Sequence, residues 1–260
     1  MSTDGTAPVS DKVATISTEV TAPAGGPVID TSRFHVWHDN ESNTDTITGL
    51  SVADTDSGAA TDAFTVTAVT AHDPHSSVDL GVASGYLADI NLTLADGVTY
   101  HPGNEPPATD QITVTVTDTT TGLLDTVHFI FNEAGDTSQG ITLQGTDGKD
   151  VIFATDTADT LIGGGGKDQF VFSPNASGSD SAHTITDFAT GLDKIDLRQF
   201  SDISSINDLH FAQSTDGTLV TWQQQVTPLE AAPVTEHESL LLKNVIAANL
   251  KGSDFIFHIT

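Results

Sequence analysis

The chain has 260 residues, enough for one large domain or two of ordinary size. Its 36 Asp and Glu outnumber its 8 Lys and Arg, and the formal net charge of -28 argues against binding to nucleic acid or insertion into a membrane. The same charge suits a protein that meets divalent cations, although an acidic surface also aids solubility by itself. The absence of cysteine excludes thiol catalysis, disulfides and cysteine-ligated zinc.

The N-terminal stretch, residues 1–27, is rich in Ser, Thr, Ala, Gly and Pro and predicts a flexible arm. A short edge strand at residues 13–20 is the alternative. Residues 1–20 lack the apolar core of a cleavable secretory signal, and no apolar run approaches the roughly 20 residues of a membrane span.

Residues 28–134 change to a period of two. Apolar residues alternate with threonine at residues 63–69 and 111–117, and further β-prone runs lie at residues 32–37, 46–52, 88–94 and 126–131. This alternation is typical of strands with one buried and one wet face. About six or seven short strands joined by turn-rich segments predict an antiparallel β-sandwich of immunoglobulin-like type.

Three phrases in this region resemble the cadherin-like sandwich repeats of large bacterial secreted adhesins: ITGLSVADTDSG, ADINLTLADGVTYHPG and ATDQITVTVTDTTTGLLDTVHFIF. The resemblance implies acidic loops that bind calcium, which here involve Asp54, Asp56 and Asp118. The alternative is that these aspartates only cap turns.

Residues 145–171 read as three consecutive blocks of nine, GTDGKDVIF, ATDTADTLI and GGGGKDQFV. The third block fits the pattern G-G-x-G-x-D-x-U-x throughout, where U is a large apolar residue. The first departs only at Thr146, and the second keeps Asp159 and Leu161 without the glycines. This period predicts a short parallel β-roll over residues 135–172 that binds Ca²⁺, whereas a flexible linker would not keep aspartates and apolar residues in phase.

Each block makes a turn and a short strand, so turns two blocks apart stack on one edge of the roll. Asp150 and Asp168 are therefore expected to clamp one calcium ion, since one turn alone cannot supply about six to eight oxygens. Ile152, Leu161 and Phe170 are expected to point into the core. The predicted backbone ligands are the carbonyls of Gly145, Asp147, Gly163 and Gly165.

The opposite edge is predicted to bind calcium weakly or not at all. Asp159 lies there in a turn without glycine. A second site could use Asp180 or Asp187.

Residues 173–260 predict a β-rich C-terminal domain, with strands at residues 219–222, 239–242 and 254–260 and a mobile loop at residues 223–238. The strand at residues 170–172, the phrases at residues 185–188 and 191–197, and the end at residues 254–257 resemble the RTX family, the repeat-containing substrates of bacterial type I secretion. The resemblance implies a C-terminal capping and export domain read by an ABC-type exporter. It also implies secretion and folding on calcium outside the cell.

The sequence contains neither the H-E-x-x-H zinc motif nor the G-x-S-x-G elbow, so we expect a protein that is not an enzyme. His35 with His38 and His72 with His75 are the only transition-metal candidates. The expected function is that of a secreted calcium-binding protein whose sandwich binds an extracellular surface, glycan or protein. The alternative is the C-terminal secretion and folding module of a larger adhesin or secreted hydrolase.

Overall fold

The computed structural model describes residues 25–39, 42–56, 61–70, 75–81, 84–103, 109–132, 139–174, 181–226 and 234–258. Most of the predicted arm lies outside these residues, as do His72 and Asp180. Among the described residues the fold is all-β with a single α-helix, which confirms the predicted fold class.

The N-terminal part consists of short strands that alternate buried and exposed residues. Along β9, for example, Ile112, Val114 and Val116 are buried and the intervening threonines are half-buried. The strands are β1 (Pro27–Asp30), β2 (His35–Asp39), β3 (Thr44–Thr48), β4 (Ser51–Asp54), β5 (Ala63–Thr70), β6 (Ser77–Asp79), β7 (Ser84–Tyr86), β8 (Val98–His101), β9 (Thr109–Asp118) and β10 (Leu124–Asn132). A four-stranded sheet has the order β2-β3-β8-β6, and β1 pairs with β4.

Residues 87–96 form helix α1 (Leu87–Asp96), so the strand predicted at residues 88–94 is wrong. Ile90, Thr93 and Leu94 are buried on one face of the helix at helical spacing. The β-prone composition of the surrounding sequence made this spacing hard to recognise. At the start of the helix the Tyr86 N–H donates to the Asp89 carboxylate across 3.0 Å. At its end, Gly97 has a φ of 108°, which favours glycine.

The C-terminal part contains the predicted parallel β-roll. Its strands are β11 (Thr142–Gln144), β12 (Lys149–Phe153), β13 (Thr160–Ile162), β14 (Gln169–Val171), β15 (Ser181–Ile185), β16 (Lys194–Asp196), β17 (His210–Gln213), β18 (Gly217–Val226), β19 (Val234–Lys243) and β20 (Phe255–Ile256). Successive strands from β11 to β16 alternate between a six-stranded sheet, β11-β13-β15-β19-β18-β17, and an eight-stranded sheet, β20-β16-β14-β12-β10-β9-β5-β7. Ile152, Leu161 and Phe170 point into the core between the sheets, as predicted.

The antiparallel pair of β18 and β19 extends through residues that we predicted to form a mobile loop. Their register runs from Gly217 opposite Lys243 to Val226 opposite Val234. Alternating burial along both strands explains the extension, because Gln224, Glu236 and Glu238 face the interior despite their polarity. The central residues 227–233 lie outside the described part.

The eight-stranded sheet runs from the N-terminal part into the roll through the parallel pair β10 and β12. Val151 and Val171, on the outer face of the roll, are buried in the same core as Phe34 and Phe129 of the N-terminal part. The two parts therefore share backbone pairing and a core. The division at residues 134 and 135 and the cadherin-like resemblance stay predictions.

Candidate calcium site

Three turns stack along the edge of the roll where the chain passes from the six-stranded to the eight-stranded sheet. We call this the first edge, made of residues 145–148, 163–168 and 186–193. The Gly165 N–H donates to the Thr146 carbonyl across 3.0 Å, which fixes the first two turns against each other. The turns that the sequence predicted to stack are thus in direct contact.

Glycine is required where these turns touch. Gly164 and Gly166 have φ values of 90° and 106°, which favour glycine. A Cβ on Gly164 would overlap the Thr146 carbonyl oxygen, and one on Gly166 would overlap the Gly148 carbonyl oxygen. The turns are also close at Gly165, where the Asp147 carbonyl oxygen lies 3.3 Å from the position that a Cβ would take.

Buried aspartates link one turn to the next. The Asp150 N–H donates to Asp168 Oδ1, and the Asp168 N–H donates to Asp193 Oδ1, both across 3.1 Å. Asp150 and Asp193 also accept hydrogen bonds from their own turns. The Thr146 N–H donates to the Asp150 carboxylate at 2.8 Å, and the Ala189 N–H donates to the Asp193 carboxylate at 2.7 Å. We call Asp150, Asp168 and Asp193 the aspartate ladder; their exposures are 0%, 2% and 3%.

The electrostatics of the ladder favour a cation. Burial, and then the neighbouring carboxylates of Asp193 and Asp150, raise the pKa of Asp168 to about 8. Burial raises the pKa of Asp150 to about 7 and that of Asp193 to about 6. The Lys194 ammonium weakly opposes the rise in the pKa of Asp193. In the described residues, the Lys and Arg ion pairs involve Asp125 and Asp196 instead. Hard carboxylate and carbonyl oxygens held this way match the donor set of Ca²⁺.

Sequence reasoning missed Asp193 as the third rung of the ladder. The signal was present, because a glycine stands two residues before the aspartate in GKD at 148–150, GKD at 166–168 and GLD at 191–193. The same spacing recurs in GSD at 252–254, where buried Asp254 accepts from the Gly191 N–H across 2.9 Å. The longer third turn, outside the nonapeptide period, concealed the repeat.

Asp187, predicted as a secondary ligand, lies on the first edge. Its carboxylate accepts from the Gly163 and Gly164 N–H groups at 2.9 Å and 2.8 Å, so it caps the second turn. The proposed second site is therefore adjacent to the first, because Asp187 and the ladder belong to the same stack of turns.

Asp159 lies on the opposite edge, as predicted; we call this the second edge. Its carboxylate accepts from the Ile141 N–H at 2.9 Å and from the Thr155 N–H at 2.6 Å, and its exposure is 1%. The Asp159 N–H faces His183 Nδ1 at 3.3 Å, where the first edge has another carboxylate. Weak calcium binding by the turn at Asp159 stays a prediction.

The structure brings together the three N-terminal aspartates singled out in the sequence. Carboxylate oxygens of Asp54, Asp56 and Asp118 lie within 4.8 Å of one another. Two of them also cap turns: Asp54 Oδ1 accepts from the Asp56 N–H at 3.0 Å, and Asp118 Oδ1 accepts from the Thr120 N–H at 2.7 Å. The turn-capping role is therefore observed.

The histidine pairs remain only partly visible. His35 is exposed on β2, while the side chain of His38 lies outside the described side chains. His75 is described but His72 is not. Their status as transition-metal candidates stays a prediction.

A roll of stacked glycine turns, each with a buried aspartate, defines the RTX class of β-roll. Residues 110–257, more than half of the chain, match the family model described as Peptidase M10 serralysin C terminal, and the chain belongs to that family. The family is one of secreted modules of RTX type. A search of curated proteins finds no significant match.

Among solved structures, the chain is similar to the solution structure of the AlgE6R3 subunit from the Azotobacter vinelandii mannuronan C5-epimerase. The identity is 22%, the match covers 45% of this chain and 78% of that one, and the TM-score is 0.32. In the described residues, no helix combines the length and apolar character needed to cross a membrane.

Proposed function

We propose that the protein is a secreted, calcium-triggered folding module whose ions bind between the turns of the first edge. The observation that carries this proposal is the aspartate ladder, in which Asp150, Asp168 and Asp193 are buried without a Lys or Arg ion pair among the described residues. Buried carboxylates of this kind oppose folding until a cation offsets their charge. Gly145, Asp147, Gly163 and Gly165 would supply carbonyl oxygens.

The contacts between the roll and the N-terminal part support a wider effect of calcium. Lys149, in the first nonapeptide, donates from Nζ to the Ile29 carbonyl and to Asp125 Oδ2, both across 2.8 Å. Arg198 lies over the Phe34 ring at 5.1 Å and donates to the Ser32 carbonyl. Ordering the roll would therefore order the edge of the N-terminal sheets.

The rest of the proposal concerns the route and purpose of secretion. We propose that a type I ABC exporter reads the C-terminal part, which includes strand β20 with its buried Phe255, before the protein meets calcium outside the cell. The N-terminal strands would then present a binding surface to an extracellular surface, glycan or protein, without catalysis. The family supports a secreted module of this type, and adhesion is the proposed use.

The second candidate function is that of the secretion and folding end of a larger adhesin or hydrolase. The match of the family model to residues 110–257 favours it, because that model describes the C-terminal part of another protein. Intact-mass measurement of the secreted protein separates the two. A main species well above 27.1 kDa supports the larger protein, and one at that mass supports a free-standing module.

The test of calcium-triggered folding is far-ultraviolet circular dichroism of the full chain in EGTA and after calcium addition. We expect a gain of β signal with calcium that is lost or shifted to higher calcium in Asp168→Asn. An identical β signal and thermal midpoint in EGTA and in calcium would contradict the proposal.

A further inference from the structure

The outer face of the four-stranded sheet β2-β3-β8-β6 carries an exposed tryptophan. Ile47, Val98 and Tyr100 define the inner face of this sheet, since they are buried in the N-terminal core. Val36 lies opposite Ile47 in the register, so its neighbour Trp37 lies on the outer face, where it is 68% exposed. One exposed aromatic residue is ordinary on a protein surface, and the side chains beside it decide what it can bind.

A straight row of polar residues continues from Trp37 across the sheet. Trp37 lies directly opposite Thr46 of β3, which lies opposite Thr99 of β8. Thr99 in turn lies opposite Asp79 of β6. At a strand spacing of about 4.8 Å, the row is roughly 14 Å long. The row therefore has an indole ring at one end, hydroxyls in the middle and a carboxylate at the other end.

The polar groups of this row can form further hydrogen bonds with a ligand. The Thr46 and Thr99 hydroxyls lie 3.1 Å apart and share one hydrogen bond. Each hydroxyl has one donor and two acceptor lone pairs, so the pair retains an O–H and lone pairs for a bound molecule. At the end of the row, His101 Nε2 lies 2.9 Å from Asp79 Oδ2 and holds the carboxylate in place. The Asp79 side chain is 79% exposed, so its Oδ1 can accept from a ligand hydroxyl.

Gly97, directly after α1, leaves room for the threonines of this face. A Cβ at Gly97 would come within 2.7 Å of Thr46 Cγ2 and 3.1 Å of Thr48 Cγ2, so a larger residue would push against both. Of the large apolar residues exposed in the described part of the chain, Trp37 is the one on this outer face. The face thus combines a single aromatic ring with a polar surface.

We propose that this face binds a neutral glycan, with one pyranose ring stacked on Trp37 and the next units lying along the threonine row. The proposal rests on the proposed binding role of the N-terminal strands and names its ligand class. The C–H groups on one face of a pyranose carry partial positive charge and pack on the electron-rich face of an indole ring. The hydroxyls at the sugar's edge then meet the polar groups of Thr46, Thr99 and Asp79. A row of roughly 14 Å suits a trisaccharide.

Charge and composition favour this ligand over two others. The net charge of -28, with Asp79 in the row itself, opposes the binding of acidic glycans. A protein partner would favour a cluster of apolar and aromatic anchors, whereas Trp37 lies beside threonines. A neutral sugar has both the apolar ring face and the hydroxyls that this surface matches.

The experiment measures binding of the full-length protein, in calcium, to an array of linear trisaccharides of glucose, mannose, galactose or xylose. Trigalacturonate serves as the acidic counterpart, and isothermal titration calorimetry then gives the affinity of the neutral trisaccharide that binds best. We expect Trp37→Ala to weaken this binding by about tenfold, and Asp79→Asn by about fivefold. Tyr86→Ala, which removes a 59% exposed aromatic ring from another sheet, leaves the affinity unchanged.

The glycan site is overturned if the folded protein binds none of the neutral trisaccharides, or if it binds trigalacturonate more tightly. Binding that Trp37→Ala leaves unchanged also overturns it. Circular dichroism of the parent and of Trp37→Ala, in EGTA and in calcium, separates this result from calcium-triggered folding. A protein that folds on calcium but binds no neutral glycan loses the glycan site alone. A protein that binds the glycan at Trp37 but folds equally in EGTA keeps the site and loses the calcium trigger.

Discussion

The Asp150 N–H donates to Oδ1 of Asp168 across 3.1 Å, so the backbone of one turn holds the carboxylate of the turn stacked on it. The Asp168 N–H repeats the contact with Asp193. Each carboxylate is thereby aimed along the stack, where like charges approach one another in a buried setting. In the calcium site that we propose, this geometry would couple ion binding to turn stacking.

Asp168→Asn tests the middle rung. The amide keeps the shape of the side chain but removes the charge that two neighbouring turns share, so calcium affinity should fall by at least about tenfold. Isothermal titration calorimetry of the full chain measures the change. Asp216→Asn, at an exposed turn, is the matched control and should bind calcium as the parent does. Equal affinities for Asp168→Asn and the parent would contradict a role in binding.

The calcium-free protein should lose stability as the pH rises. Burial in the folded state raises the pKa values of Asp150, Asp168 and Asp193 above the ordinary aspartate value of 3.8, to about 7, 8 and 6. Between the unfolded and folded values the native state binds more protons than the unfolded state, so the free energy of unfolding falls with increasing pH. In EGTA, the thermal midpoint should therefore decrease as the pH is raised from about 5 to about 8.

Calcium should reverse this dependence, because the ion competes with protons for the same carboxylates. Calcium affinity should rise over the same pH range, and the slope should be smaller in Asp168→Asn. Thermal melts at several pH values, with EGTA or with calcium, provide the measurement. A midpoint in EGTA that rises with pH would show that these carboxylates are stabilised by ionisation.

Gly166→Ala should destabilise the roll more than strain alone explains. Alanine at a φ of 106° costs about 1–2 kcal/mol, and its Cβ would also overlap the Gly148 carbonyl oxygen. Gly191→Ala is the matched control, since its φ is 83° but nothing lies within 4 Å of its Cβ position. Urea unfolding in calcium should rank the parent above Gly191→Ala and Gly191→Ala above Gly166→Ala. Equal losses would mean that the turns do not stack closely.

The sequence was informative where a short period governs structure. Alternation placed β5, β9 and β10, and the nine-residue blocks placed the roll and the pair of Asp150 and Asp168. Sequence patterns were misleading where tertiary contacts determine the local structure. The β-prone segment at residues 88–94 became α1 because its buried face suits a helix against the sheets, and the buried Glu236 and Glu238 resembled a polar loop.

Asp193→Asn tests the rung that the nonapeptide period does not include. Asp193 is buried, accepts from the Asp168 N–H and follows Gly191 at the spacing seen in the first two turns. We expect calcium affinity to fall by about as much as in Asp150→Asn, on the order of tenfold. Calcium titration of both variants measures this. A loss confined to Asp150→Asn would limit the site to the first two turns.

Removal of calcium should also loosen the N-terminal strands. Because β10 pairs with β12 and Val151 packs in the N-terminal core, EGTA should speed amide hydrogen exchange in β9 as well as in β12. Val151→Ala opens a cavity where the roll packs against the N-terminal core, so it should reduce the free energy of unfolding by about 2 kcal/mol. It should also speed amide hydrogen exchange in β9.

Val69→Ala is the control for this coupling, since Val69 is 56% exposed on β5 and its loss should leave the exchange pattern unchanged. Exchange mass spectrometry resolves the two strands. If β9 stays protected in EGTA while β12 exchanges, the N-terminal sheets fold independently of the roll. If both lose protection together, the continuous eight-stranded sheet transmits the effect of calcium from the turns at Asp150 and Asp168 to the N-terminal surface.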